Sequence, residues 1–243
     1  MRFMTISVSL LTGFLLLFSG ISGVSAAGVG INTTRVVIHQ GSPAVSVTLR
    51  NSTENNTYLV QSYITNDEDS RQPDNSPFDV LPPVFQLAPG SQGDVRLAEK
   101  AGSVARLPAD RESVFWFHAR AIPRNDRKPA QEYAENHGAV KIALENVIKV
   151  FYRPANLPMT AEQAQAGLRF AIVAEGLSVT NPSPYHVTLA GVTVASQPVK
   201  LSRQDAMLAP FSEHTYQTRV KTGEVSWTTI NDLGGYNTHH AQL

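Results

Sequence analysis

The chain contains no cysteine, which excludes disulfide staples, thiolate nucleophiles and Cys-ligated zinc or iron–sulfur centres. It has no excess of either charge. Lys and Arg number 20 against 20 Asp and Glu, and charged residues are only 16% of the 243. A surface built for nucleic acid or anionic lipid needs a strong basic excess, so neither partner is expected. Catalytic motifs are also missing: no HExxH, GxSxG, Walker loop or GxGxxG before a helix occurs. The histidines, among them the adjacent His239 and His240, show no metal-ligand spacing, and that pair reads as part of a frayed polar tail. No enzyme activity and no cofactor are expected. What is present is a 42% hydrophobic composition, enough for real cores. The length suits one large or two medium domains, which usually run about 100–200 residues.

The first 27 residues carry a single cation, Arg2, then an apolar stretch through Leu15, Leu16, Leu17 and Phe18, and close on Ser25, Ala26 and Ala27. This is the three-part layout of a secretory signal, with cleavage expected after Ala27. A retained anchor is the alternative. It normally needs about 18 or more unbroken apolar residues, and Thr5, Ser7, Ser9, Thr12 and Gly13 interrupt this run. Loss of Arg2 leaves 19 cations and 20 anions, a net charge of −1 for an exported chain beginning at Gly28.

From Gly28 onward, short alternating runs are broken by Pro, Gly and Asn clusters. VSVTL places Val45, Val47 and Leu49 on one side of a pleat. In AVKIALENVIKVFY, Val140, Ile142, Leu144, Ile148, Val150 and Tyr152 share one parity, while Lys141, Glu145, Lys149 and Arg153 share the other. Period-2 alternation predicts strands with one packed face, and the closely spaced turn signals suit β-sandwiches. Pro154 and Pro158 directly follow the longest run and must end it, because proline removes a ladder donor and fixes φ. The predicted organisation is a signal over 1–27, a first domain over 28–152, a linker over 153–158 and a second domain over 159–243. Helix is expected only as a short turn near 160–166.

Several of these segments, in order, resemble one family: the PapD-like periplasmic chaperones of chaperone–usher pilus assembly. TTRVVIHQG (33–41) is similar to the family's first strand. LPPVFQLAPGSQGDVRL (81–97) is similar to its Pro-Pro segment, and DRESVFWFHARAIP (110–123) to its most distinctive signature. AVKIALENVIKVFYRPANLP (139–158) resembles its edge strand and elbow. VTNPSPYHVTL, LAPFSEHTY and TTINDLGG correspond to motifs of its second domain. The resemblance implies an all-β fold of two immunoglobulin-like β-sandwich domains in an L or boomerang arrangement, with an interdomain cleft. It implies a chaperone that lends a strand to pilin subunits and delivers them to an outer-membrane usher. Weak self-association of the unloaded chain is also implied.

The resemblance assigns roles residue by residue. Arg35 and Lys149 match the pair that anchors a pilin's C-terminal carboxylate; without it they are two ordinary solvated cations near strand ends. Val140, Ile142 and Leu144 match the apolar row that fills a pilin's groove; on a covered strand the same row is plain core. Lys149 has the opposite parity to that row, so a twist or a bulge is expected between them. Glu112, Arg153 and Asp232 match a charged trio between the domains; read alone they are unrelated surface charges. Pro82, Pro83 and Phe85 match a segment near the usher-docking face, or else mark a strand crossover with Phe85 in the core. The loop over 124–138 is longer than in the usual short-loop branch, yet the long-loop branch's cysteines are absent, which places the chain in the short-loop branch. A secreted β-sandwich adhesin or carbohydrate-binding module is the alternative, as is a hydrolase with scattered carboxylates or histidines.

Overall fold

The computed structural model describes residues 28–124 and 142–243. The first sandwich pairs two sheets. One has the order β1 (Val29–Ile31), β3 (Val45–Asn51), β7 (Gln92–Glu99), β5 (Phe78–Leu81). The other runs β2 (Arg35–His39), β9 (Leu144–Arg153), β8 (Ser113–Pro123), β4 (Tyr58–Thr65), β6 (Val84–Leu87). The alternation read from the sequence sets the inner faces. Val47 and Leu49 on β3, Val95 and Leu97 on β7, Phe115, Phe117 and Ala119 on β8, and Val150 and Tyr152 on β9 are buried in one core. Phe78 meets Phe115 edge to face at 5.2 Å. Each large apolar side chain fully buried this way contributes about 1.5–3 kcal/mol.

The chain's first strand changes sheets. β1 pairs with β3 on one side of the sandwich, and after residues 32–34 β2 pairs with β9 on the other. The β2–β9 pairing is parallel, from Arg35 opposite Lys149 to His39 opposite Arg153. A second crossing occurs at Pro82 and Pro83, where β5 in one sheet gives way to β6 in the other through a cis Leu81–Pro82 bond. Both prolines are exposed, while Phe85 packs partly against the core.

The second sandwich sets β10 (Arg169–Val173), β11 (Gly176–Asn181) and β15 (Ser212–Tyr216) against β13 (Gln197–Pro198), β12 (Val187–Val194), β16 (Glu224–Ile230) and β17 (Tyr236–Gln242), with β14 (Met207–Leu208) added on β12. Its core gathers Leu177, Val179, Leu189, Val225 and Trp227 and shares no residue with the first. The one described α-helix, α1 (Ala161–Ala166), starts on a capping box. Thr160 Oγ1 accepts from the Gln163 amide, and the Gln163 side chain accepts from the Thr160 amide. The C-terminal tail is not frayed: β17 pairs with β16 from Glu224–Gln242 to Ile230–Tyr236, and the His239 ring lies 5.4 Å from Trp227. The period-2 pattern of TTINDLGGYNTHHAQL is weak because that strand's exposed and half-buried residues are nearly all polar.

Candidate functional site

Three strands of the second sheet lay a row of side chains on its outer face. Arg35 on β2 is opposite Lys149 on β9, and Lys149 is opposite Trp116 on β8. Neighbours in such a row have Cβ atoms about 4.5–5.5 Å apart. Both cations are partly withdrawn from water. Arg35 is only 8% exposed; one guanidinium nitrogen donates to the Ile230 carbonyl at 3.0 Å, and the group lies 5.8 Å from the Phe151 ring. Burial lowers the Arg35 pKa, opposed by the charges of Asp232 and Glu112. Burial also lowers that of Lys149, helped by Arg35 and Arg203 and opposed by Glu68. Among the described residues no carboxylate lies within ion-pair distance of Lys149. Two adjacent, desolvated cations with spare donors favour an anion that accepts charge-assisted hydrogen bonds.

The row floors a cavity of about 230 Å³ that both sandwiches line, the second through Thr188, Arg203, Ile230 and Tyr236. Arg203 reaches across to Glu68 at 3.1 Å. Both partners are well exposed, so this pair contributes only about 0–1 kcal/mol.

β9 is covered along half its length. β2 pairs with residues 149–153, whereas residues 144–148 make ladder pairs with β8 alone, and the Asn146 side chain donates to the Val29 carbonyl at 2.9 Å. At the start of this open stretch Ile142 is 68% exposed and Leu144 47% exposed; Val140 lies outside the described residues. Of the twist or bulge expected between Leu144 and Lys149, the bulge does not occur. The β8–β9 register runs unbroken from Ala121–Leu144 to Ser113–Tyr152, so the two side chains project from opposite faces of one regular strand.

A polar network holds the open stretch from its outer face, and sequence reasoning missed it. Glu145 on β9 accepts from Tyr63 Oη at 2.7 Å, Arg120 Nε at 3.2 Å and Arg71 at 3.1 Å. Tyr63 stacks on the fully buried His118 at 4.7 Å, and His118 Nε2 bonds Thr65 Oγ1 at 2.8 Å. Burial and the bond to Glu145 push the Tyr63 hydroxyl up to about 12. Burial alone would raise the Glu145 carboxyl, but Tyr63 and Arg120 outweigh it and hold it below the usual range. These residues come from three strands and a loop. Only the parity of Glu145, shared with Lys149, hints at the network.

Glu112, Arg153 and Asp232 come together between the sandwiches. Arg153 donates to Glu112 Oε1 at 2.8 Å and to both Asp232 oxygens at 2.7 and 2.9 Å. Glu112 is 4% exposed, and its other oxygen accepts from the His186 amide at 2.8 Å. Burial would lower the Arg153 pKa, but Asp232 and Glu112 together raise it above the ordinary value. A buried group of this kind adds direction more than net stability. Beside it the β16–β17 turn touches the first sandwich. Gly234 has φ +83°, and a Cβ there would stand 2.4 Å from Thr34 Oγ1.

Two immunoglobulin-like sandwiches that line one basic cleft, with a strand half unpaired beside paired cations, define a two-domain β class. The comparisons with known proteins place the chain within it. The family model described as "Pili and flagellar-assembly chaperone, PapD N-terminal domain" matches residues 28–158, and "Pili assembly chaperone PapD, C-terminal domain" matches residues 163–241. The chaperone protein FimC of Escherichia coli O6:H1 is 31% identical over 231 residues, covering 94% of this chain and 90% of FimC. The chaperone protein HifB of Haemophilus influenzae is 33% identical over 225 residues, 90% of each chain. Among solved structures, the Salmonella enterica SafA pilin in complex with the SafB chaperone matches with TM-score 0.74 and 27% identity, over 90% of this chain and 98% of that one. The chain belongs to the PapD-like pilus-assembly chaperones, a family of chaperones rather than of enzymes.

Proposed function

We propose that this protein captures pilin subunits by donor-strand complementation and delivers them to an outer-membrane usher. The observation that carries the reading is the half-open β9, whose uncovered stretch ends at Lys149 and Arg35. The direction of the captured chain follows from the geometry. If a client's terminal carboxylate sits at Arg35 and Lys149, residues 149–153 are already occupied by β2. The rest of the client strand must then lie along residues 144–148, parallel to β9 and in line with β2. Backbone pairing supplies affinity for any extended chain. Ile142 and Leu144, with Val140 before them, would fill the client's groove at about 1.5–3 kcal/mol per buried side chain. Charge-assisted hydrogen bonds to the carboxylate contribute about 1.5–3 kcal/mol each and fix the register.

The remaining assignments belong to the same reading. Residues 1–27 are an export signal cleaved after Ala27, which places the chaperone in the periplasm; among the described residues no helix is long and apolar enough to cross a membrane. The domains divide at a 153–158 linker. Glu112, Arg153 and Asp232 set the interdomain angle, and the exposed sheet crossing at Pro82 and Pro83, with Phe85 beneath it, docks the usher. Without a client, the open edge supports weak self-association. The names of the relatives do not favour the adhesin or carbohydrate-binding alternative.

The test is a pilin C-terminal peptide made with a free carboxylate and as its carboxamide. Titration calorimetry should show the amide binding at least about tenfold more weakly, the loss of one hydrogen bond to a charged group. Equal affinities would overturn the anchor.

A further inference from the structure

Buried polar atoms without partners are rare, and each one marks a cost that some contact is expected to offset. Among the described residues, three such atoms belong to side chains lining the same cavity: Arg35 Nε, Trp116 Nε1 and Thr188 Oγ1. Arg35 and Trp116 lie in the cation row of the first sandwich. Thr188 comes from the other side. It sits on β12 of the second sandwich, opposite Met207 of β14, and is 6% exposed.

We propose that Thr188 donates a hydrogen bond to the client carboxylate held by Arg35 and Lys149, so that both domains grip the end of the client chain. This rests on the carboxylate-anchor reading above. A carboxylate offers about four acceptor positions around its two oxygens, so it can accept from Arg35, Lys149 and a third donor together. The hydroxyl is a donor that needs no compensating charge beside two cations. Its oxygen is covered and has no partner, so meeting a ligand in the cavity that Thr188 lines requires the hydroxyl to turn about χ1 to another staggered position. The consequence is mechanical: a client carboxylate ties the second sandwich to the first through a bond that an amide end makes poorly.

The experiment crosses variants with peptides. Wild type, Thr188→Val, Thr188→Ala and Thr188→Ser are titrated with the pilin C-terminal peptide in its free-acid and carboxamide forms, and thermal unfolding checks each variant's fold. Thr188→Val keeps the shape and removes the hydroxyl; it should lower free-acid affinity roughly ten- to hundredfold, with the loss confined to that peptide. Thr188→Ala should do the same if the valine is poorly accommodated, and Thr188→Ser should restore most of the affinity. Equal weakening of both peptides, a serine variant as poor as valine, or a valine variant matching wild type would each overturn the Thr188 assignment and leave the anchor standing. A wild type that does not distinguish the two peptides would overturn the anchor and this assignment with it.

Discussion

Arg35 and Lys149 show how little a single residue says until its strand is placed. Each is an ordinary cation in the sequence, and only the resemblance to the chaperone family singled them out. The fold sets the two in a shared row and withdraws both from water. Replacing either with Ala should leave the melting temperature near that of wild type, because each loses a charge that burial disfavours. Binding of the free-acid pilin peptide should fall at least about tenfold, which calorimetry would read. His118 was legible only as part of a strand. It is buried on the outer face among Glu145, Arg120, Arg71 and Asp74, and burial lowers its pKa below 6.5. The unfolded chain therefore takes up this proton first as pH falls. The contribution of His118 is complete above pH 6.5 and is lost as pH drops below it. His118→Asn should flatten the decline of melting temperature between neutral pH and about pH 5 relative to wild type; parallel curves would show that His118 does not govern it. Beyond the parity of Glu145 the network was not legible, since its members become neighbours only through the β4–β8–β9 register.

Strands carried most of what the sequence could reveal. Alternation marked β3 and β9, and the short helical turn expected near 160–166 is α1. Alternation does not report which edge of a strand is covered, so the half-open state of β9 had to come from the fold. The switch of the first strand between sheets was equally hidden, because β1 and β2 are short and both read as apolar. Of the twist or bulge expected before Lys149 no bulge is needed, because side chains on opposite faces of one strand can serve two different partners. Leu144→Glu tests the open edge. Leu144 is half exposed, so the free chaperone should melt as wild type does. A charge carried into an apolar groove without a partner should weaken subunit capture by about 2 kcal/mol or more, seen as loss of co-purifying pilin. Full co-purification would remove Leu144 from the donor row.

At the scale of the whole molecule, two sandwiches meet through polar contacts that include the Glu112–Arg153–Asp232 group and the Arg35 bond to the Ile230 carbonyl. Asp232 is 41% exposed at the side chain while Glu112 is 2% exposed, so the two carboxylates on Arg153 are not equivalent. Asp232→Ala should cost roughly 0–1 kcal/mol of stability yet broaden the distribution of interdomain angles, measurable by small-angle scattering. Glu112→Ala should cost more, because it also strips the His186 amide of its acceptor. An unchanged scattering profile for both would show that the angle is set elsewhere, the Arg35 bond to the Ile230 carbonyl, the Glu112 amide bond to the Pro184 carbonyl and the Gly234–Thr34 approach being further contacts between the sandwiches. The parallel β2 has one more effect. Because its first residue, Arg35, is half of the cation pair, on the proposed reading it would be an end-stop as well as a sheet member. Incoming tails of every length would then halt at the same rung, and any surplus residues would overhang the far side. A subunit extended beyond its natural last residue would collide with the stop, whereas one lengthened upstream would still seat.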